Sequence, residues 1–122
     1  MIICVDFDGT CVTHEYPKVG VDIGAQKVLK KLVARGDTLI LWTMRSGKEL
    51  QDAVDWFKTN DIPLLGINEN PAQKIWTKSP KAFGHIYIDD AALGCPLIEG
   101  VQPRAFVDWN KVEILLFGKE EI

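Results

Sequence analysis

Ile2-Ile3-Cys4-Val5-Asp6-Phe7-Asp8-Gly9-Thr10 is the stretch that decides how this chain folds. Residues 2 to 6 predict a strand that is apolar without alternation, the pattern of a strand buried on both faces of a parallel sheet. The strand then runs into Asp8-Gly9, a common turn pair. Two carboxylates, Asp6 and Asp8, thus stand two residues apart where a buried strand ends. Unpaired carboxylates beside an apolar core are costly. Something positive must sit there, and a hard divalent cation with oxygen ligands is the simplest candidate.

Strand and helix alternate along the rest of the chain. Residues 11 to 20 read as a polar loop containing Pro17 and Gly20. Ala25, Val28, Leu29, Leu32 and Val33 then recur at helical spacing, with Gly36 as a stop. Residues 38 to 43 form a second apolar strand. Leu50, Ala53, Val54 and Phe57 mark a second amphipathic helix, closed by Asn60 and Asp61. Residues 64 to 67 are a short third strand, residues 68 to 84 are polar and irregular, and residues 85 to 88 are a fourth strand running into Asp89-Asp90. At the end, Asp108 can cap a helix carrying Trp109, Val112, Leu115 and Leu116. Residues 112 to 117 would also suit an edge strand; helix is favoured.

The bulk properties suit a single domain spanning residues 1–122. Of its 122 residues, 47% are hydrophobic and 25% charged, and the net charge is −3. That balance indicates no broad basic field for nucleic acid, though it leaves room for a local patch. Cys4, Cys11 and Cys95 lack metal-site spacing and are odd in number, so neither a zinc site nor a disulfide framework is expected. No apolar stretch is long enough to span a membrane, and no charged leader precedes the first strand. A cytoplasmic setting is therefore expected.

Strands joined by helices imply right-handed crossovers and a parallel sheet with helices on both faces. The fold class expected is α/β, a three-layer α/β/α Rossmann-like sandwich. Ligands of such sheets bind beyond the carboxyl ends of the strands. Asp6 with Asp8, Thr43 with Arg45 and Ser46, and Asp89 with Asp90 all fall there. Mg²⁺ takes few protein ligands and is completed by water and phosphate oxygens. Beside it one carboxylate stays ionised and can attack phosphorus. A second, two residues on, can serve as general acid and then base. A hydroxyl such as Thr43 and exposed backbone amides can hold phosphoryl oxygens, and a lysine can offset charge in the transition state.

Taken together, these residues resemble a family. Asp6-Phe7-Asp8-Gly9-Thr10 is similar to the first motif, DxDGT, of the haloacid dehalogenase superfamily. Leu41-Trp42-Thr43 resembles its second, an apolar strand ending in Thr or Ser, and Ile86-Tyr87-Ile88-Asp89-Asp90 its fourth, an apolar strand ending in an acidic pair. The resemblance implies Asp6 as nucleophile and Mg²⁺ ligand, and Asp8 as general acid/base with its backbone carbonyl on the metal. Thr43 would bind the phosphoryl group, together with Asp8, Gly9 and Met44. Asp90 would ligate the metal, with Asp89 supporting its waters or the lysine. The third motif is a Lys ahead of the fourth strand; Lys74, Lys78 and Lys81 qualify, and Lys81 is chosen for its place just before that strand. The family often carries a cap domain, for which this chain has no room. The resemblance thus implies a capless Mg²⁺-dependent phosphohydrolase of phosphate monoesters, similar to small bacterial and phage members. Its phosphorylated substrate is not specified, and a homo-oligomer covering the open site is compatible with it.

Alternatives are a phosphotransferase of the same superfamily and a binding module that kept the fold without turnover. A response-regulator receiver would place its phosphorylated Asp mid-chain and a Lys late, which is not the order here. Arg45 and Lys48 read as solvated surface residues, His14 as either a flap contact or an exposed loop residue, Trp42 and Trp56 as core, Trp76 as packed under its loop, and His85 as structural.

Overall fold

Apolar runs with β-branched residues build the central sheet. The computed structural model describes residues 1–118. In it β1 (Ile2–Val5), β2 (Thr38–Leu41), β3 (Gly66–Ile67) and β4 (Ile86–Ile88) form a parallel sheet in the order β3-β2-β1-β4. The register pairs Val5 with both Leu41 and Ile88, so β1, β2 and β4 end level with one another. The residues just beyond them therefore emerge side by side.

Among the described residues, three helices accompany the sheet: α1 (Ala25–Ala34), α2 (Gly47–Thr59) and α3 (Trp109–Phe117). The Asp22 carboxylate accepts the amides of Gly24 and Gln26 and so satisfies donors at the start of α1. Residues 109–117 are helix rather than edge strand, and Asp108 caps them through the Lys111 amide at 3.2 Å. A short antiparallel pair, β5 (Leu97–Ile98) and β6 (Phe106–Val107), has no counterpart in the sequence pattern; two residues are too few to show a period.

The layering departs from the sequence expectation. Buried residues of all three helices join Ile3, Val5, Leu39 and Leu41 in one core cluster. Cys4 and Ile40, which point the other way, meet Ala82, Ile2 and Trp42, and no helix residue joins them. That second face is covered by residues 68–84, which contain one 3-10 turn, Pro71–Ile75. The cause is topological: the chain steps from β1 to β2 to β3 in one direction, so both right-handed crossovers fall on the same face. The return from β3 to β4 crosses the other face, and its Pro71 and Pro80 allow no long helix. On the helix face, fully burying a side chain such as Leu29 contributes roughly 1.5–3 kcal/mol. No described helix is long and apolar enough to cross a membrane.

The stretch after β1 is more structured than a polar loop. Cys11, Val12 and Thr13 are buried. Trp109 Nε1 donates to the Thr10 carbonyl at 2.6 Å, and the Val107 amide to the Gly9 carbonyl at 3.0 Å. The C-terminal elements thus lock the turn that carries Asp6 and Asp8. Trp42 and Trp56 are half-buried against core residues, whereas Trp76 is 64% exposed. Its loop turns the ring outward instead of packing over it.

Candidate functional site

The level strand ends put Asp6, Thr43, Asp89 and Asp90 around one crevice of about 700 Å³, also lined by Asp8, His14, Met44, Arg45 and Arg104. An adjoining hollow of about 320 Å³ lies between Asp6, Trp42, Thr43, Asn68 and Asp89. Asp6, Asp89 and Asp90 each present an oxygen within 4.8 Å of the other two. The Thr10 hydroxyl accepts the Asp90 amide at 3.0 Å and turns its own proton toward Asp6 Oδ2 at 2.9 Å, with Asp90 Oδ1 at 3.3 Å.

Burial pushes the Asp6 carboxyl up to about 7, with the charge of Asp89 and the contact with Asp90 acting the same way; hydrogen bonds from the Phe7 amide and Thr10 oppose them. Within the described residues, nothing positive enough to hold Asp6 ionised in the acid range reaches it. Three hard oxygen donors with an uncompensated charge suit a small divalent cation, and Asp6, Asp89 and Asp90 are the residues that would hold it.

Asp8 has a different environment. Arg45 grips it as a fork, Nε to Oδ2 and Nη2 to Oδ1, both at 2.8 Å. Arg45 is 3% exposed, which corrects its reading as a solvated surface residue. It also donates to the carbonyls of Pro17, Lys18 and Glu49, and its guanidinium lies 5.0 Å from the Phe7 ring and 5.2 Å from that of Tyr16. A buried cation requires such a full set of partners. Arg45 therefore ties the 11–20 loop to the start of α2 and fixes the Asp8 carboxylate. The available signal in the sequence was that Asp8, next to a core, needs a cation, and that Arg45 comes just after the neighbouring strand end.

The other phosphate-binding candidates divide. The Thr43 amide donates to Asn68 Oδ1 at 2.8 Å, and its hydroxyl accepts the Arg45 amide at 3.2 Å, at the crevice wall. Met44 is 98% exposed at the rim. The Gly9 amide is already committed to the Val12 carbonyl at 2.8 Å, so it is not free for an anion. Gly9 serves the site differently: its φ is +74°, and a Cβ there would collide with the His14 ring. His14 is a site residue, with Nε2 3.2 Å from both Asp90 Oδ2 and the Ala105 carbonyl.

Lys81 is not brought to the crevice. Its Nζ lies 5.4 Å over the Tyr87 ring, beside a hollow shared with Trp76 on the face without helices. Lys74 lies 3.5 Å from Glu69, and with Lys78 it borders another hollow. The reason is the buried Gln73 side chain, which donates to the Ser79 and Lys81 carbonyls and accepts the Phe83 amide; this clamp draws the loop across the sheet. Among the described residues, the arginines lining the crevice are Arg45 and Arg104. Arg104, on the β5–β6 connection, left no signal in the sequence. His85 is structural: its Nδ1 accepts the Ile2 amide at 2.9 Å. Lys48 is exposed and paired with Asp52 at 3.0 Å.

A parallel α/β sheet of Rossmann-like type, with acids gathered at its carboxyl edge, is the class these observations define. A solved structure of a conserved protein from Bacteroides thetaiotaomicron is similar to this chain, at 31% identity and a TM-score of 0.79, across 99% of this chain and 93% of that one. The chain belongs to the same family as that protein. No protein-family model matches the sequence, and no curated protein matches it.

Proposed function

We propose that this chain is a Mg²⁺-dependent phosphohydrolase of the haloacid dehalogenase type, working through an aspartyl phosphate on Asp6. The observation that carries the reading is the convergence of Asp6, Asp89 and Asp90 oxygens beside Thr43. We read the architecture as a single capless domain and a pared-down three-layer sandwich, with the 3-10 turn in place of one helical layer. A cytoplasmic setting agrees with three free cysteines.

Mg²⁺ held by Asp6, Asp89 and Asp90 would supply charge neutralisation and polarisation of the phosphoryl group. Asp6 then presents an ionised oxygen in the crevice and attacks phosphorus, and the bond from phosphorus to the ester oxygen breaks. Thr43 and the exposed amide of Met44 hold the phosphoryl oxygens. Asp8, taking up a proton from solvent as it leaves the fork, protonates the departing oxygen and afterwards takes a proton from the water that cleaves the aspartyl phosphate. For both steps Asp8 must release at least one oxygen from the Arg45 fork. Arg104 takes the charge-stabilising role first assigned to Lys81, since it lines the crevice and Lys81 does not.

The same fork favours a second reading. If Asp8 stays locked by Arg45, the intermediate is not hydrolysed, and the chain is a phosphotransferase or a binding module. Phosphate release from a panel of phosphomonoesters, with Mg²⁺ or chelator, for wild type and Asp6→Asn tests the proposal. Metal-dependent release that vanishes in the variant is expected; release that survives the substitution refutes the mechanism.

A further inference from the structure

The sheet face without helices presents a second set of side chains that the acidic crevice does not use. Bases and aromatics are interspersed along it: Lys74, Trp76, Lys78, Lys81, Phe83 and Tyr87. Trp76 meets Phe83 edge-on at 6.0 Å, and Phe83 meets His85 at 5.2 Å. Beside these rings lies a hollow of about 380 Å³, with Thr77, Ser79 and Lys81 on its walls. Lys74 and Lys78 border a neighbouring hollow of about 540 Å³ that reaches Asn68, and Asn68 also lines the hollow beside Asp6.

The surface is built rather than loose. Asn70 and Gln73 are buried amides that bind the loop to itself: Asn70 accepts the Ala72 amide and donates to the Phe83 carbonyl, while Gln73 holds Ser79, Lys81 and Phe83. This scaffold holds Trp76 and Ile75 outward, 93% of Ile75 being exposed. Large exposed apolar groups set among charges mark interaction surfaces.

We propose that this face binds single-stranded nucleic acid, with bases stacked on Trp76 and in the hollow beside Phe83, and phosphates on Lys74, Lys78 and Lys81. Rings that accept any base, framed by cations that track the backbone, are the chemistry such strands require. The charge is complementary and local: residues 68–87 hold three lysines against Glu69, in a chain of net −3. A second copy of this chain fits poorly, because two-fold pairing sets the same lysines against each other. The proposal does not depend on phosphohydrolase activity.

The test is fluorescence anisotropy of a labelled oligothymidylate and oligouridylate of about a dozen nucleotides, at about 50 and about 200 mM salt, with the full chain. Three phosphate contacts give a log–log salt slope of about −2, or roughly 15-fold weaker binding at the higher salt. Trp76→Ala should weaken binding by about tenfold or more, and the triple replacement of Lys74, Lys78 and Lys81 by Gln should flatten the salt slope. These side chains are exposed, so circular dichroism and Tm should match wild type. Asp6→Asn should bind as wild type does; loss of binding there would move the strand into the crevice and overturn the proposal. So would no binding at low salt, or binding indifferent to both Trp76→Ala and the lysine replacement. Oligonucleotide-independent self-association abolished by Trp76→Ala, with no anisotropy change, would assign the face to a second copy instead.

Discussion

Replacing Asp6 by Asn should stabilise the metal-free protein, and the effect should depend on pH. The folded state raises the Asp6 carboxyl from 3.8 to about 7, mainly by burial. Each unit corresponds to about 1.4 kcal/mol, so holding Asp6 ionised in the folded chain costs on the order of 4 kcal/mol. Because the folded value lies above the unfolded one, the favourable contribution is complete below about pH 4. It is lost as pH rises toward 7, where the unfolded chain has already released its proton. Asn keeps the shape and removes the charge, but gives up part of the hydrogen bonding from Phe7 and Thr10. A net gain of about 2 kcal/mol at pH 8 should remain, or about 8 °C in Tm for a chain of this length. Thermal melts of both proteins in chelator, at pH 4.5 and pH 8, provide the assay: the variant should melt above wild type at pH 8 and not at pH 4.5, where only about 1 kcal/mol of the charge cost is left to set against the lost hydrogen bonds. Mg²⁺ should raise the wild-type Tm and not that of the variant. Equal Tm values at pH 8 in chelator would refute the electrostatic account of the crevice.

Arg45→Met should destabilise by about 3–5 kcal/mol, because it leaves Asp8 unpaired beside the core; urea denaturation measures this, and adding Asp8→Asn should recover a substantial part. An additive double mutant would show that the fork contributes nothing. Gly9→Ala should cost more than about 1 kcal/mol, since a residue with φ of +74° gains a Cβ against His14; an unchanged denaturation midpoint would contradict it. Once a substrate is in hand, Arg104→Met should lower kcat by about a hundredfold, the scale of removing one stabilising donor, while Lys81→Met leaves it unchanged. The reverse pattern would return the role to Lys81.

The parts of the fold that could be read early were those governed by short-range order. Residues 2 to 5 and 39 to 41 are apolar without alternation, the pattern of a strand covered on both faces. The helical spacing of Val28, Leu29 and Leu32 places one buried stripe on α1. Asp108 marked the start of α3 because a side-chain oxygen at that position satisfies an amide of the first turn. β3 and β4 are shorter than expected, although the His85 amide still donates to the Ile2 carbonyl and the Leu65 amide to the Leu39 carbonyl.

The amino-acid sequence alone thus determined that three strand ends would deliver Asp6, Thr43 and the Asp89-Asp90 pair to one edge, because strand polarity and crossover handedness leave little choice of topology. Which partners those groups meet was decided only by the tertiary structure. Arg45 reaches Asp8 across 37 residues of chain, and the Gly9 amide is consumed by Val12 within its own turn. Lys81 is carried to the opposite face by the Gln73 clamp, leaving Arg104 at the crevice. These outcomes depend on loop paths, and loop paths are set by buried hydrogen bonds between residues with no periodic relation in the sequence.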